Sequence, residues 1–85
     1  MKELNYTIRD EIGLHARPAG LLAKKAAGFK STISISNGSK RVDAKSILSI
    51  MQLAAKSKQT IYITIEGEDE ETALQEISTL LQENL

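Results

Sequence analysis

The chain has 85 residues, with 11 basic and 11 acidic side chains, and its composition is typical of a small globular domain. Having no cysteine and a single histidine argues against disulfides, thiolate chemistry and a metal site. No apolar run approaches the roughly 20 residues of a membrane-spanning helix. We therefore expect one cytoplasmic domain over residues 1–85, without a cofactor, a metal, a separate catalytic domain or direct membrane insertion.

The first predicted element is a strand, because apolar and polar residues alternate over residues 4–8 with a period of two. A helix follows, since the apolar positions within residues 19–26 fall on one helical face. The start of this helix has two interpretations. Either Arg17 is the N-cap, because proline disfavours α geometry in the residue before it, or the helix begins at Ala16 with Pro18 inside its first turn.

A hairpin and a second helix are predicted next. The alternation over residues 33–36 leads into Asn37 and Gly38, a pair favoured in tight turns because both positions tolerate positive φ. The chain then returns through residues 40–42. Ser46 is placed to act as the N-cap of a short helix. The apolar positions of that helix are Ile47, Ile50, Met51 and Ala54.

The last two predicted elements are a strand over residues 61–65 and a helix with an apolar stripe over residues 73–81. Three acidic residues near the start of this helix complement its dipole. The predicted order is therefore βαββαβα. One-sided alternation favours an α+β fold, in which a four-stranded antiparallel sheet carries three helices on one face.

The stretch GLHARPA at residues 13–19 contains the only histidine and the only proline. Proline belongs in the first turn of a helix, which places His15 beside unsatisfied amides and the positive end of the helix dipole. Such amides and the guanidinium of Arg17 bind phosphate oxygens, and an imidazole, with a reference pKa of about 6.5, is a nucleophile near neutral pH. We therefore predict a phosphoryl-accepting histidine. The alternative is a histidine that only caps the helix or faces solvent.

Four motifs along the chain carry a family resemblance, namely GLHARPA at 13–19, AKSI at 44–47, Met51 followed by Leu53, and GEDEETAL at 67–74. Together they resemble the HPr family, the histidine-containing phosphocarriers of the bacterial phosphoenolpyruvate-dependent sugar phosphotransferase system. The resemblance implies an open-faced β-sandwich and a covalent carrier that is not an enzyme. It implies that His15 accepts a phosphoryl group from enzyme I, that Arg17 stabilises this group, and that sugar-specific IIA domains receive it.

Ser46 has a second implied role, because AKSI resembles the site that the HPr kinase/phosphorylase of Gram-positive bacteria phosphorylates. Regulatory phosphorylation there implies a catabolite-control transcription factor as a further partner. The alternative function is a regulatory HPr-like module that acts mainly through phosphoserine-dependent binding to such a factor. Relatives of that kind lack the histidine, so His15 favours the carrier.

Further residues are predicted to contact protein partners. The apolar ones would form a docking patch beside His15, although core packing is the default for each of them. We expect a monomer, which suits a carrier that presents one face to several partners. We expect no binding to nucleic acid, because the few aromatic residues are not interleaved with basic ones. The residues predicted to contact partners are Ala16, Leu21, Lys24, Lys45, Ile47, Leu48 and Met51.

The zero net charge conceals a segregation along the chain. Residues 12–65 carry nine basic residues and one acidic residue, whereas residues 66–85 carry seven acidic residues and no basic one. We expect the basic segment to face phosphate and acidic partners and the acidic segment to lie away from them. The chain also has Ser57 and Lys58 where many members of the resembled family have a glycine before the last strand.

Overall fold

The computed structural model describes residues 1–85 and contains a four-stranded antiparallel sheet and three helices in the order βαββαβα, which confirms the predicted fold. The order of the strands across the sheet is β1-β4-β2-β3. None of the helices is long and apolar enough to cross a membrane. The strands are β1 (Lys2–Thr7), β2 (Thr32–Ser36), β3 (Arg41–Asp43) and β4 (Thr60–Glu66), and the helices are α1 (Ala16–Ala27), α2 (Ile47–Gln52) and α3 (Glu70–Asn84).

The hydrophobic core lies between one face of the sheet and the helices. Alternate residues of β4 point into it, so that Ile61, Ile63 and Ile65 are buried while Tyr62 between them is exposed. The apolar faces predicted for α1 and α3 pack against these isoleucines. Because alternate residues of a strand point to opposite faces, the residues between the isoleucines lie on the other, polar face of the sheet. The buried residues of the two helices are Pro18, Ala19, Leu22, Ala23 and Ala26 in α1, and Ala73, Ile77, Leu80 and Leu81 in α3.

The hairpin between β2 and β3 turns one residue later than predicted. The amide of Asn37 donates to the carbonyl oxygen of Lys40 at 3.2 Å, so Gly38 and Ser39 are the central residues of the turn. Gly38 has a φ of 98°, whereas Asn37 contributes its side chain, whose Oδ1 accepts hydrogen bonds from the amides of Ser39 and Lys40. The prediction that Asn37 is a central residue of the turn is wrong. Asn37 precedes the two central residues, and its side chain accepts hydrogen bonds from the amides that follow.

Helix α2 is shorter than predicted. Its last turn is tightened by bonds from the amides of Leu53 and Ala54 to carbonyl groups three residues earlier. Ala54 lies beyond the helix with a φ of 50°, so its predicted place on the apolar face is wrong. Of the other apolar positions only Ile50 is buried, since Ile47 and Met51 are exposed. The exposed side chains leave part of α2 facing solvent.

The start of α3 is joined to the start of β2 by Asp69. Its carboxylate accepts hydrogen bonds from the Ser31 hydroxyl and from the amides of Lys30 and Ser31. These bonds lower the pKa of Asp69 from its ordinary value of 3.8, mainly through the Ser31 hydroxyl and then through the Lys30 amide. Gly67 allows the close approach, because a Cβ atom there would lie 2.6 Å from the Cα of Ser31.

Candidate functional site

Helix α1 begins at Ala16 with His15 as its N-cap, so the earlier of the two predicted starts is confirmed and Arg17 as the N-cap is wrong. Pro18 occupies the first turn, where its missing N–H group has no intrahelical role. The first helical bond is donated by the amide of Ala19 to the carbonyl oxygen of His15 at 3.0 Å. The amides of Ala16 and Arg17 donate no hydrogen bond within the chain, which leaves two donors at the helix start.

The loop that delivers His15 to the helix is held by backbone contacts. The buried residue Leu14 donates its amide to the carbonyl oxygen of Ala55 at 2.9 Å. Gly13 has a φ of 87°, and a Cβ atom there would lie 2.7 Å from the same carbonyl oxygen. This position therefore requires glycine on two independent grounds, its conformation and the close approach of the loop around Ala55.

The imidazole of His15 makes no capping hydrogen bond, and 34% of the side chain is exposed. Its Nε2 atom lies 3.7 Å from Oδ2 of Asp10, in the loop after β1. The other oxygen of Asp10 accepts the amide of Ile12 at 2.9 Å, which orients the carboxylate. Asp10 carries no distinguishing signal in the sequence, because no periodicity predicts how an irregular loop folds back on itself.

His15 and Arg17 line the same open cleft, which has a volume of about 250 Å³. The Arg17 side chain forms no ion pair or hydrogen bond within the chain. A free guanidinium, an imidazole and two free amides at one helix start supply groups whose chemistry suits a phosphoryl group. The other residues that line the cleft are Asp10, Pro18, Leu21, Glu83 and Asn84.

Glu83 lines the cleft, so the prediction that the acidic segment lies away from the histidine is wrong for the end of that segment. Helix α3 packs along α1, and an ion pair of 3.3 Å between Lys25 and Glu76 joins the two helices. The end of α3 thereby reaches the start of α1. No signal in the sequence predicted this contact, because Glu83 and His15 are far apart along the chain and meet only through helix packing.

The other predicted site residues lie on α1 and α2, two helices that contact each other. Ser46 caps α2, since its Oγ accepts the amide of Ser49 at 3.2 Å, and the predicted N-cap is confirmed. The side chains of Leu21, Ile47, Leu48 and Met51 are between 37% and 76% exposed and are therefore not buried in the core. Ala16 and Lys24, on α1, are also exposed.

Lys45 differs from the other predicted partner-binding residues because its ammonium group is engaged within the chain. Its Nζ donates to the carbonyl oxygen of Phe29 at 2.9 Å, just beyond the end of α1. The 12 residues of α1 span about 18 Å, so this contact and His15 lie at opposite ends of the helix. The structure therefore does not bring Lys45 to the cleft.

Comparison with known proteins agrees with this geometry. Residues 2–83 match the family profile described as the PTS HPr component phosphorylation site. The chain belongs to the HPr family. It is 42% identical over 83 residues to the phosphocarrier protein HPr of Lysinibacillus sphaericus, covering 98% of this chain and 94% of that protein. The HPr family is therefore matched over nearly the whole chain.

Two solved structures of HPr-like proteins are similar to this chain. The histidine-containing phosphocarrier protein of Mycoplasma has a TM-score of 0.94 and 38% identity, covering 96% of this chain and 93% of that one. The catabolite repression protein Crh of Bacillus subtilis, described as a domain-swapped dimer, has a TM-score of 0.77 and 34% identity, covering 100% and 98%. The HPr fold is thus shared with both carrier and catabolite-repression proteins.

The loop before β4 adopts left-handed conformations without glycine. Ala54 follows α2 with a φ of 50°, and Lys58 has a φ of 71°. The amide of Lys58 donates to the carbonyl oxygen of Ile8 at 2.7 Å, which joins this loop to the end of β1. Both residues have side chains and therefore adopt this conformation at a cost that glycine does not have.

Proposed function

We propose that this protein is a phosphocarrier that accepts a phosphoryl group from phospho-enzyme I on His15 and passes it to sugar-specific IIA domains during sugar uptake. The observation that carries the proposal is the imidazole of His15, which makes no capping bond and lines one cleft with the free guanidinium of Arg17. In this role the protein is covalently modified and then restored, so it undergoes no net turnover.

The proposed acceptor atom is Nδ1 of His15. Nε2 is the ring nitrogen that faces the Asp10 carboxylate, so Nδ1 is the atom that remains for attack on phosphorus. The lone pair of Nδ1 forms the new N–P bond, while the bond between phosphorus and the donor breaks with its electron pair leaving on the donor. The free amides of Ala16 and Arg17 and the Arg17 guanidinium supply positive charge to the phosphoryl oxygens.

The proposed partners follow from this function. Enzyme I and the IIA domains would dock around His15, with Ala16, Leu21 and Lys24 of α1 contacting them. The exposed apolar side chains of α2 extend that surface, and they are Ile47, Leu48 and Met51. Lys45 would contact a partner at the end of α1 that is distant from His15, because its ammonium group is bonded to the carbonyl oxygen of Phe29. Such partners imply a cytoplasmic location and a monomer that presents one face to each in turn.

Ser46 is the proposed site of regulatory phosphorylation by an HPr kinase/phosphorylase. Its hydroxyl lies at the start of α2, where a phosphoserine would be favoured by the helix dipole. A second candidate function is a regulatory module that binds a catabolite-control transcription factor through phosphoserine. The similarity to Crh favours this candidate, since that protein is described by its role in catabolite repression.

The proposal is tested by incubating the protein with enzyme I and phosphoenolpyruvate and measuring its intact mass. We expect the wild type and Ser46→Ala to gain the mass of one phosphoryl group in an acid-labile form, which identifies phosphohistidine. His15→Ala should gain nothing. Phosphorylation of His15→Ala at the wild-type rate, or of the wild type only by an ATP-dependent kinase in an acid-stable form, would overturn the carrier function.

A further inference from the structure

We propose that Asp10 is a positioning residue for His15 that selects the ring tautomer with its proton on Nε2. This inference rests on the proposed function of His15. Oδ2 of Asp10 lies 3.7 Å from Nε2 of His15. A neutral imidazole carries one proton, and the hydrogen-bonding partner of one nitrogen decides which nitrogen keeps the lone pair. A carboxylate can only accept, so it favours the proton on Nε2 and leaves the lone pair on Nδ1.

Asp10 is held in place by three hydrogen bonds, one to its carboxylate and two to its backbone. Oδ1 accepts the amide of Ile12 at 2.9 Å, the backbone carbonyl oxygen accepts the amide of Gly13 at 3.1 Å, and the backbone amide donates to the carbonyl oxygen of Leu85 at 2.8 Å. Oδ2 is the one oxygen without a bond in the chain, and it is the oxygen that faces the ring.

The separation of 3.7 Å is longer than a hydrogen bond. Contacts of this kind are commonly long in unliganded sites and tighten when the reacting partner binds. Both side chains are partly shielded, with 34% of His15 and 29% of Asp10 exposed, so the docking of a protein partner would remove further water from the pair. With less water around the pair, a hydrogen bond from the Nε2–H group to the carboxylate becomes stronger.

The charge at the ring changes during transfer, and Asp10 compensates for it. When the Nδ1 lone pair forms the N–P bond, Nε2 retains its proton, so the ring itself becomes positively charged. Asp10 then pairs with that charge on the side of the ring away from the new bond. When the group passes on, the bonding electron pair returns to Nδ1 and no proton has to be exchanged with solvent.

The charged groups that face His15 come from three elements. Asp10 lies in the loop after β1, Arg17 lies in α1, and Glu83 lies at the end of α3. Of the two acidic residues, only Asp10 lies within ion-pair distance of the imidazole. Glu83 lines the cleft without such a contact, so the tautomer preference is assigned to Asp10 alone.

The sharpest test uses Asp10→Asn and Asp10→Ala together. In the asparagine variant Oδ1 still accepts the Ile12 amide, so the NH₂ group faces Nε2 and donates to it. The tautomer preference is thereby reversed, and the lone pair is moved from Nδ1 to Nε2. The alanine variant merely removes the preference. We expect Asp10→Asn to accept phosphoryl at least about tenfold more slowly than wild type and more slowly than Asp10→Ala.

The tautomer is read directly from the ¹⁵N chemical shifts of the His15 ring at a pH at which the imidazole is neutral. The Nε2–H form should dominate in the wild type and in the control Glu11→Gln, which removes an exposed neighbouring carboxylate, and the Nδ1–H form should increase in Asp10→Asn. Unchanged tautomer populations in both Asp10 variants, or equal phosphorylation rates in the two, would overturn the role of Asp10. The proposed function has its own test, and it fails if the wild-type protein accepts no phosphoryl group from enzyme I. The two failures are distinguishable, because the tautomer measurement needs no phosphoryl transfer.

Discussion

The backbone amide of Leu14 donates a 2.9 Å hydrogen bond to the carbonyl oxygen of Ala55, which joins the loop of His15 to the loop between α2 and β4. The two loops are distant in sequence, yet each limits the conformation of the other. Gly13 and Lys58 both lie in this pair of loops and both have positive φ. Changes in either loop should therefore affect stability and the presentation of the histidine together.

Gly13→Ala should destabilise the fold and slow phosphorylation of His15. The added Cβ would lie 2.7 Å from the carbonyl oxygen of Ala55, and its φ of 87° is unfavourable for alanine. We expect a loss of about 2 kcal/mol in the free energy of unfolding, measured by urea denaturation.

Gly20→Ala is the matched control, because a Cβ there would have no neighbour within 4 Å and the residue lies inside α1. It should raise the free energy of unfolding by about 0.5–1 kcal/mol. Equal effects of the two substitutions would show that the contact with Ala55 does not limit position 13.

Lys58→Gly should stabilise the protein. Lys58 has a φ of 71°, which costs a residue with a side chain more than it costs glycine, although glycine also makes the unfolded chain more flexible. The net gain in the free energy of unfolding should be up to about 1 kcal/mol, measured by urea denaturation. Lys56→Gly lies in the same loop without positive φ and should instead be destabilising. A loss of stability in both variants would contradict the assigned strain.

Ser46→Ala should lower the free energy of unfolding by about 1 kcal/mol, because the Ser49 amide loses its acceptor. Ser46→Asn should retain most of that stability, since asparagine is also a good N-cap. Thermal unfolding of the two variants measures the difference. If enzyme I phosphorylates His15 more slowly in Ser46→Ala but at the wild-type rate in Ser46→Asn, the N-cap of α2, and not the serine hydroxyl as such, is what phosphorylation of His15 requires.

Asp69 makes the stability depend on pH on the acid side. Its pKa is lowered in the folded protein, mainly by the Ser31 hydroxyl and then by the Lys30 amide. The stabilising contribution is therefore complete above the ordinary value of 3.8 and is lost as the pH falls through the lower folded pKa. Urea denaturation at several pH values should show a weaker acid dependence for Asp69→Asn than for wild type.

The control for this experiment is Glu68→Gln, which removes an equal charge from an exposed neighbour whose nearest cation is Lys30 at 4.0 Å. Its acid dependence should resemble that of the wild type, because an exposed ion pair contributes little. If Glu68→Gln flattened the pH profile as much as Asp69→Asn does, general charge and not the bonds to residues 30 and 31 would be the cause.

Local signals predicted much of the fold and part of the site. The alternation of isoleucines over residues 61–65 identified β4, and the serine before Ile47 identified the N-cap of α2, because each depends on neighbours in the chain. The turn at Asn37 and the end of α2 were predicted wrongly. In both places the local sequence is compatible with several backbone conformations. Tertiary contacts, such as the hydrogen bond from the Asn37 side chain to the carbonyl oxygen of Leu53, select among them.

Periodicity and the chemistry of proline were enough to predict the element order, the core faces of α1 and α3 and the placement of His15 at a helix start. The sequence also carried the family resemblance through GLHARPA. The strand order β1-β4-β2-β3, the approach of Asp10 to His15 and the position of Glu83 in the same cleft became known from the folded structure. These three features depend on packing between elements, which brings together residues whose separation along the chain does not predict their distance in space.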